Sequence, residues 1–275
     1  MPFYKVYHPP AILGTLIREL QIYRANWNVE GDLPPRFISC LANTEQNLYF
    51  YINDPTTLIT PTRMELPVPP VIVTGPKYKT AGLLFGKDHL MLKVAFHPTG
   101  IYRLLGNNMR LIVNTGLDAT KFWGNEVVEI LHRLRQAADY DSMARIAEAF
   151  LEKQVIHSCR PEEALDKVAI SMLDPQNTRP LEEWAAMACL SRRQFERNFT
   201  TRVGISPKLF VRIVRFEWAM KIKNRYPDRS WVDIAAECDY TDSSHILREF
   251  KEFAEFPPSR FYLQPTSGYS EFPTG

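Results

Sequence analysis

Apolar residues at helical spacing recur twice between Leu181 and Tyr262, in the same order and about 50 residues apart. In the first copy, Leu181-Glu-Glu-Trp-Ala-Ala-Met-Ala188 predicts a helix with Ala185 and Ala186 on its buried side. Cys189-Leu190 makes a turn, and Ser191 N-caps a second helix that runs to Thr200. That second helix sets Leu190, Phe195 and Phe199 on one face and Arg192, Arg193, Glu196, Arg197 and Thr200 on the others. The second copy starts at Ser230 and repeats the Ala pair as Ala235-Ala236. Along Thr241 to Lys251, Ile246 answers Phe195, Arg248 answers Arg197 and Phe250 answers Phe199, with one extra residue at the turn. Between the copies, Ser206-Pro207 opens a stretch to Arg225 in which Phe210, Ile213, Val214, Trp218 and Ile222 share a side, so one long helix is expected to join the two pairs.

Upstream the pattern changes to short aromatic and β-branched runs bounded by Asn, Pro and Gly: Phe37–Leu41, Asn47–Ile52, Val71–Thr74, Ala81–Phe85 and His89–Phe96. These read as strands of a small barrel or rolled sheet, with Gly86-Lys-Asp-His89 as a hairpin connection. A helix is expected from Ile12 to Tyr23, because Leu13, Leu16, Ile17, Leu20 and Ile22 fall largely on one side. Tyr49 and Tyr51 share one strand face while Leu48, Phe50 and Ile52 share the other. Two amphipathic helices follow, Ala119 to Ala138 and Ser142 to His157, as a helical hairpin. Ile156 to Pro161 reads as a hinge, helix resumes from Pro161 to Leu173, and the polar stretch from Pro265 to Gly275 reads as a disordered tail. The fold class is therefore α+β: a β-rich, barrel-like domain with flanking helices over 1–117, a linking or dimerising hairpin over 118–158, an all-α tandem helix-turn-helix domain over 162–263, and a tail over 264–275.

At 275 residues and 45% hydrophobic the chain buries substantial cores, and its net charge of +2 is uninformative until it is located. Between Ser191 and Arg225 ten Lys or Arg face only Glu196 and Glu217, whereas from Tyr226 to Arg260 four basic residues face eight acidic ones. Phosphate neutralisation supplies most non-specific affinity for nucleic acid, so the first unit and the joining helix are expected to anchor a duplex and the second unit to contribute less. The four cysteines are scattered without a C-x-x-C pair, which indicates neither a zinc site nor a disulfide framework. His157-Ser-Cys159 supplies two adjacent groups that do not complete a tetrahedron. No apolar run of 18 or more residues exists and the N-terminus lacks a signal peptide's apolar region, so a cytoplasmic protein is expected. No Ser/His/Asp set, phosphate-cradling Gly loop or paired carboxylates are found, and neither enzymatic activity nor a cofactor or metal is expected.

The order Ser191, Arg197, Phe199, Gly204, Ser206, Pro207, Arg215, Ala219, followed by Tyr240, Asp242, Ser244, Arg248, Phe250, Lys251 and Pro258, resembles the signature of AraC-family transcription regulators across roughly Ala164 to Leu263. Where that family usually has Gly before the aromatic, this chain has Asp239, and the Gly expected near Glu255 or Phe256 is missing; a strained or rebuilt second turn is therefore expected. Pro70 to Pro76 and Phe96 to Gly106 are similar to the N-terminal sensor module that precedes such readers in a large subgroup. That likeness implies a sensor position without naming an effector. His97 in this module hydrogen-bonds either a ligand or the backbone of its own turn.

The resemblance implies double-stranded DNA as partner, with RNA polymerase, a small-molecule effector and self-association left open, and no membrane. Groove geometry then assigns Arg193, Glu196 and Arg197 to base edges in the first groove, flanked by Ser191, Arg192, Thr200 and Arg202. Their second-site counterparts are Ser243, Ser244, His245 and Arg248, with Lys251. His245 and Arg248 also admit structural readings, as a helix-surface residue and an internal ion pair. The alternative to a regulator is a helical interaction module that has lost operator binding, which the acidic second unit favours.

Overall fold

In the computed structural model, residues 2–29, 36–60, 62–255 and 266–267 are described. The first ten strands are β1 (Phe3–Tyr7), β2 (Ile17–Asn26), β3 (Phe37–Cys40), β4 (Gln46–Tyr51), β5 (Thr57–Ile59), β6 (Glu65–Pro67), β7 (Val71–Thr74), β8 (Ala81–Leu84), β9 (Asp88–Phe96) and β10 (Gly116–Asp118). They form two sheets that do not close: one ordered β1-β2-β9-β4-β7-β10, the other containing β3-β8-β5-β6. Thr266–Ser267, β11, pair in parallel with Ser39 and Cys40. The rest of the expected tail, and the turn around Pro258, lie outside the described residues.

Side chains of the six-stranded sheet alternate as period two requires. Leu48 and Phe50 enter a core with Leu20, Ile22, Leu92 and Val94. Tyr49 and Tyr51 stack on the opposite face, their centroids 5.9 Å apart, where Tyr23 and Met91 also lie. The stretch expected as a helix from Ile12 is instead a turn to Leu16 followed by β2, paired with β1 on one side and β9 on the other. Ile17 and Leu20, three apart, fit the helical period, and in the strand a register shift between Ile17 and Glu19 brings both to the same core. Ladder pairing on both edges selects the strand, where Leu20 and Ile22 alternate with Glu19 and Gln21. The expected hairpin at Gly86–His89 is also corrected, because β8 and β9 belong to different sheets and the connection passes between them.

Over the core face of the larger sheet lie α1 (Gly100–Leu105), α2 (Thr120–Trp123), α3 (Asn125–Arg135) and α4 (Tyr140–Ser158). The single helix expected from Ala119 breaks at Gly124, whose φ of 54° and ψ of −136° no helix accommodates. Val127, Ile130, Leu131, Phe150 and Leu151 join the core of that sheet. The segment expected as a hinge is tied to α1: Arg160 N–H donates to the carbonyl of Arg103 at 2.8 Å, and Arg103 donates back to the carbonyl of Arg160 at 3.3 Å.

After α5 (Ala164–Ser171) come α6 (Leu181–Met187), α7 (Arg192–Val203), α8 (Pro207–Arg225), α9 (Trp231–Glu237) and α10 (Ser243–Ala254). Phe195, Phe199, Phe210, Phe216, Phe250 and Phe253 are wholly buried and make one core running through both helix pairs, with edge-to-face contacts such as Phe199–Phe210 at 5.3 Å. Ser206 caps α8 through the Leu209 amide, Pro207 occupies its first turn, and the helix then continues unbroken for 19 residues. It is buried on more than one side, because each helix pair packs against a different flank: Phe210 and Ile213, but also Phe216, Ala219 and Met220, are inaccessible.

Candidate nucleic-acid interface

The two copies share the same turn and an N-capped second helix. α6 leads to Cys189 and α9 to Asp239, each in left-handed backbone at φ 55°. The next amide, that of Leu190 or Tyr240, donates to the carbonyl of Ala185 or Ala235 at 2.9 and 3.0 Å. The turns are therefore equivalent, and the extra residue of the second copy is Thr241, placed after the turn. Ser191 caps α7 in a reciprocal box, its side chain accepting from the Gln194 amide while Gln194 Oε1 accepts from the Ser191 N–H at 3.0 Å. Asp242 caps α10, accepting from the His245 amide at 2.8 Å.

On α7, Arg193 and Arg197 are exposed and make no side-chain hydrogen bond or ion pair with any described residue. Arg192 is exposed but pairs with Glu182 at 2.7 Å and with Glu196 at 3.4 Å, so Glu196 orients a neighbouring cation. Thr200 donates its hydroxyl to the carbonyl of Glu196 at 2.6 Å. Arg202, expected on the groove side, is corrected. It is buried, donating to Asp166 at 3.1 Å and Glu163 at 2.5 Å of the α5 start and lying over the Tyr102 ring. It staples α7 to α5 and α1.

On α10, Ser244, Arg248 and Lys251 are exposed, and Arg248 has no described partner, which removes the internal-pair reading. Ser243 and His245 are half-buried. His245 turns inward: its Nδ1 lies 3.2 Å from the Thr241 hydroxyl, its Nε2 3.7 Å from Glu249, and its ring meets Tyr240 edge-on. Leu247 is exposed beside Arg248.

The local charge counts change once pairs are drawn in space. Glu249, 2% exposed, accepts from Arg212 at 2.8 Å, Arg215 at 3.2 Å and the Tyr240 hydroxyl at 2.9 Å. Glu252 takes Arg212 as well, and Arg229 takes Glu237. Two of the second unit's eight acidic residues, Glu249 and Glu252, are therefore met by cations of α8 that a count along the chain assigns to the first unit. Glu249, Arg212 and Arg215 are the functional scaffold that sequence reasoning passes over, because nothing in helical spacing says which residue on another helix they will meet.

Residues 184–264 match a helix-turn-helix domain family of the AraC type. The C-terminal region contains a helix-turn-helix domain of the AraC type. Over 117 residues the chain is 28% identical to a helix-turn-helix-type transcriptional regulator of Haemophilus influenzae, covering 42% of this chain and 39% of that one. Over 88 residues it is 28% identical to the helix-turn-helix-type transcriptional regulator MtrA of Neisseria gonorrhoeae, covering 30% of this chain and 29% of that one. The matches thus span about two fifths or less of these relatives' lengths. Among solved structures, ToxT from Vibrio cholerae aligns over 96% of this chain and 99% of its own, at 11% identity and a TM-score of 0.46. Within the AraC-type domain, the family's aromatic before the second recognition helix is Tyr240, held by Glu249, and the usual Gly before it is the left-handed Asp239. The helix C-cap where a second Gly is expected is Glu255, also left-handed at φ 61°. No helix among the described residues is long and apolar enough to cross a membrane.

Proposed function

We propose that the chain is a cytoplasmic, sequence-specific transcriptional regulator that lays α7 and α10 into two successive major grooves of one duplex. The observation that carries this reading is the disposition of arginines. Arg193, Arg197 and Arg248 stand exposed on the two recognition helices without an ion pair to any described residue, while Arg192, Arg202, Arg212, Arg215 and Arg229 are all ion-paired. Cations left without a partner on a rigid, N-capped helix suit guanine edges and phosphates. Two readers of one duplex face must sit about 34 Å apart, and the 19 residues of α8 rise about 28 Å between the two pairs. The interaction-module reading drew on the acidity of the second unit, of which Glu249 and Glu252 are met by Arg212 and Arg215 of α8. In this reading the N-terminal domain is the controller, through which an effector, a second copy or RNA polymerase would act.

The test is selection of bound duplexes from a random pool, followed by mobility shift. Arg197→Ala is expected to cost about 1–3 kcal/mol of binding to the selected site without loss of fold, and binding is expected to fall steeply with salt. Unchanged binding by folded Arg193→Ala and Arg197→Ala proteins would overturn the assignment of α7 as a reader.

A further inference from the structure

The chain leaves β3 in the smaller sheet and enters β4 in the larger one through residues 41–46, and that crossing runs inside the C-terminal domain. Leu41 and Ala42 are fully buried, and they belong to the core of the helix-turn-helix units rather than to that of the sheets. Ala42 N–H donates to the carbonyl of Phe253 at 3.3 Å, and Thr80 Oγ1 donates to the same oxygen at 3.3 Å. Thr44 donates its hydroxyl to the Glu217 carboxyl at 2.9 Å and its amide at 3.4 Å. Gln46, 1% exposed, donates Nε2 to the carbonyl of Val203 at 3.1 Å. Val203 and Phe253 lie in the last turns of α7 and α10, where carbonyls have no donor within their own helix. Both recognition helices therefore receive a C-terminal donor from the other domain, and the same six residues hold the middle of the helix that joins them. Asn43 pins the crossing to Lys77 by two backbone bonds of 2.9 and 2.8 Å.

We propose that residues 41–46 are a clasp that sets the distance and angle between the two recognition helices, making Thr44 and Gln46 positioning residues for DNA reading that lie outside the reading domain itself. The inference rests on the two-groove reading above. Because the clasp is one of the connections between the two sheets, a shear of one sheet on the other moves all three attachments at once. A change inside the N-terminal domain is thereby converted into a change of pitch between the readers.

The experiment uses the full chain and its selected duplex, together with duplexes in which one or two base pairs are inserted between the half-sites. Wild-type protein is expected to reject the inserted duplexes. A Thr44→Val/Gln46→Ala protein is expected to keep its affinity for a single half-site and to lose about tenfold of that rejection, the equivalent of two hydrogen bonds. Equal rejection by both proteins overturns the clasp while leaving DNA reading intact, whereas failure to select any duplex removes the two-groove reading and the clasp with it. Hydrogen exchange supplies a measurement independent of DNA. The double variant is expected to exchange faster at the C-terminal amides of α7, where Gln46 is lost, while β4 and β9 keep their protection, and unchanged exchange at that helix end overturns the proposal.

Discussion

Cys189 and Asp239 occupy the same place in the two helix pairs, and both hold left-handed backbone. That conformation costs an L-residue about 1–2 kcal/mol, and Asp bears it better than most because its short side chain bonds locally. Cys189→Gly is therefore expected to raise stability by about 1 kcal/mol and Asp239→Gly by less, read as the shift in urea midpoint. The reverse order would show that the two turns are not equivalent. Only half of this was legible beforehand. Asp239 departs from the family pattern where Gly is usual, while Cys189 is legible as a turn residue but not as a left-handed one, although its backbone is the same. Arg202 shows a second limit at this scale: seven after Phe195 and three after Phe199, it falls on their buried face by helical spacing, but only the fold reveals that Asp166 is waiting there.

At the scale of elements, α10 is held to α8 by a carboxylate as well as by phenylalanines. Glu249 sits where three donors converge, two of them arginines on α8. Removing the charge from a buried pair leaves the partners uncompensated, so Glu249→Gln is expected to destabilise the domain by about 3 kcal/mol. Lys251→Gln, on the exposed face of the same helix, is expected to leave the unfolding midpoint unchanged and to weaken DNA binding. Loss of stability in both would place Lys251 in the fold rather than at the duplex. Helices with strong signals were legible almost to the residue: Ser191 caps α7, Pro207 starts α8, and α8 runs unbroken. The misread elements share one cause. β2 has apolar positions that fit a helix as well as a strand, and α2 and α3 are separated by one glycine whose backbone angles are not written in hydrophobic periodicity. Both outcomes are decided by contacts distant in sequence, the ladder to β9 in the first case and packing on the sheet in the second.

Across the whole molecule, the N-terminal sheets and the tandem helix-turn-helix domain share a contact with a titratable group at its centre. Glu217, half-buried on α8, faces Thr44 and Glu45 from the clasp and Lys221 from its own helix. Burial, and then the negative charge of Glu45, push its carboxyl up from an ordinary 4.5 to about 7. Burial also pushes Glu45 upward, but the Lys93 ammonium and the Arg18 guanidinium outweigh it and hold that carboxyl well below the usual range, so Glu45 stays charged throughout. A carboxyl whose pKa is raised by folding binds its proton more tightly in the folded protein, so its contribution is complete below its ordinary value and declines as pH rises towards about 7. The urea midpoint of the wild type, measured against that of Glu217→Gln, is therefore expected to fall across this window and to level off above it. Glu217→Gln keeps an acceptor for Thr44 and removes the charge, so its own profile should lack that decline. A difference between the two proteins that does not vary with pH would mean that the carboxyl titrates as it does in water and that the contact between the domains carries no proton.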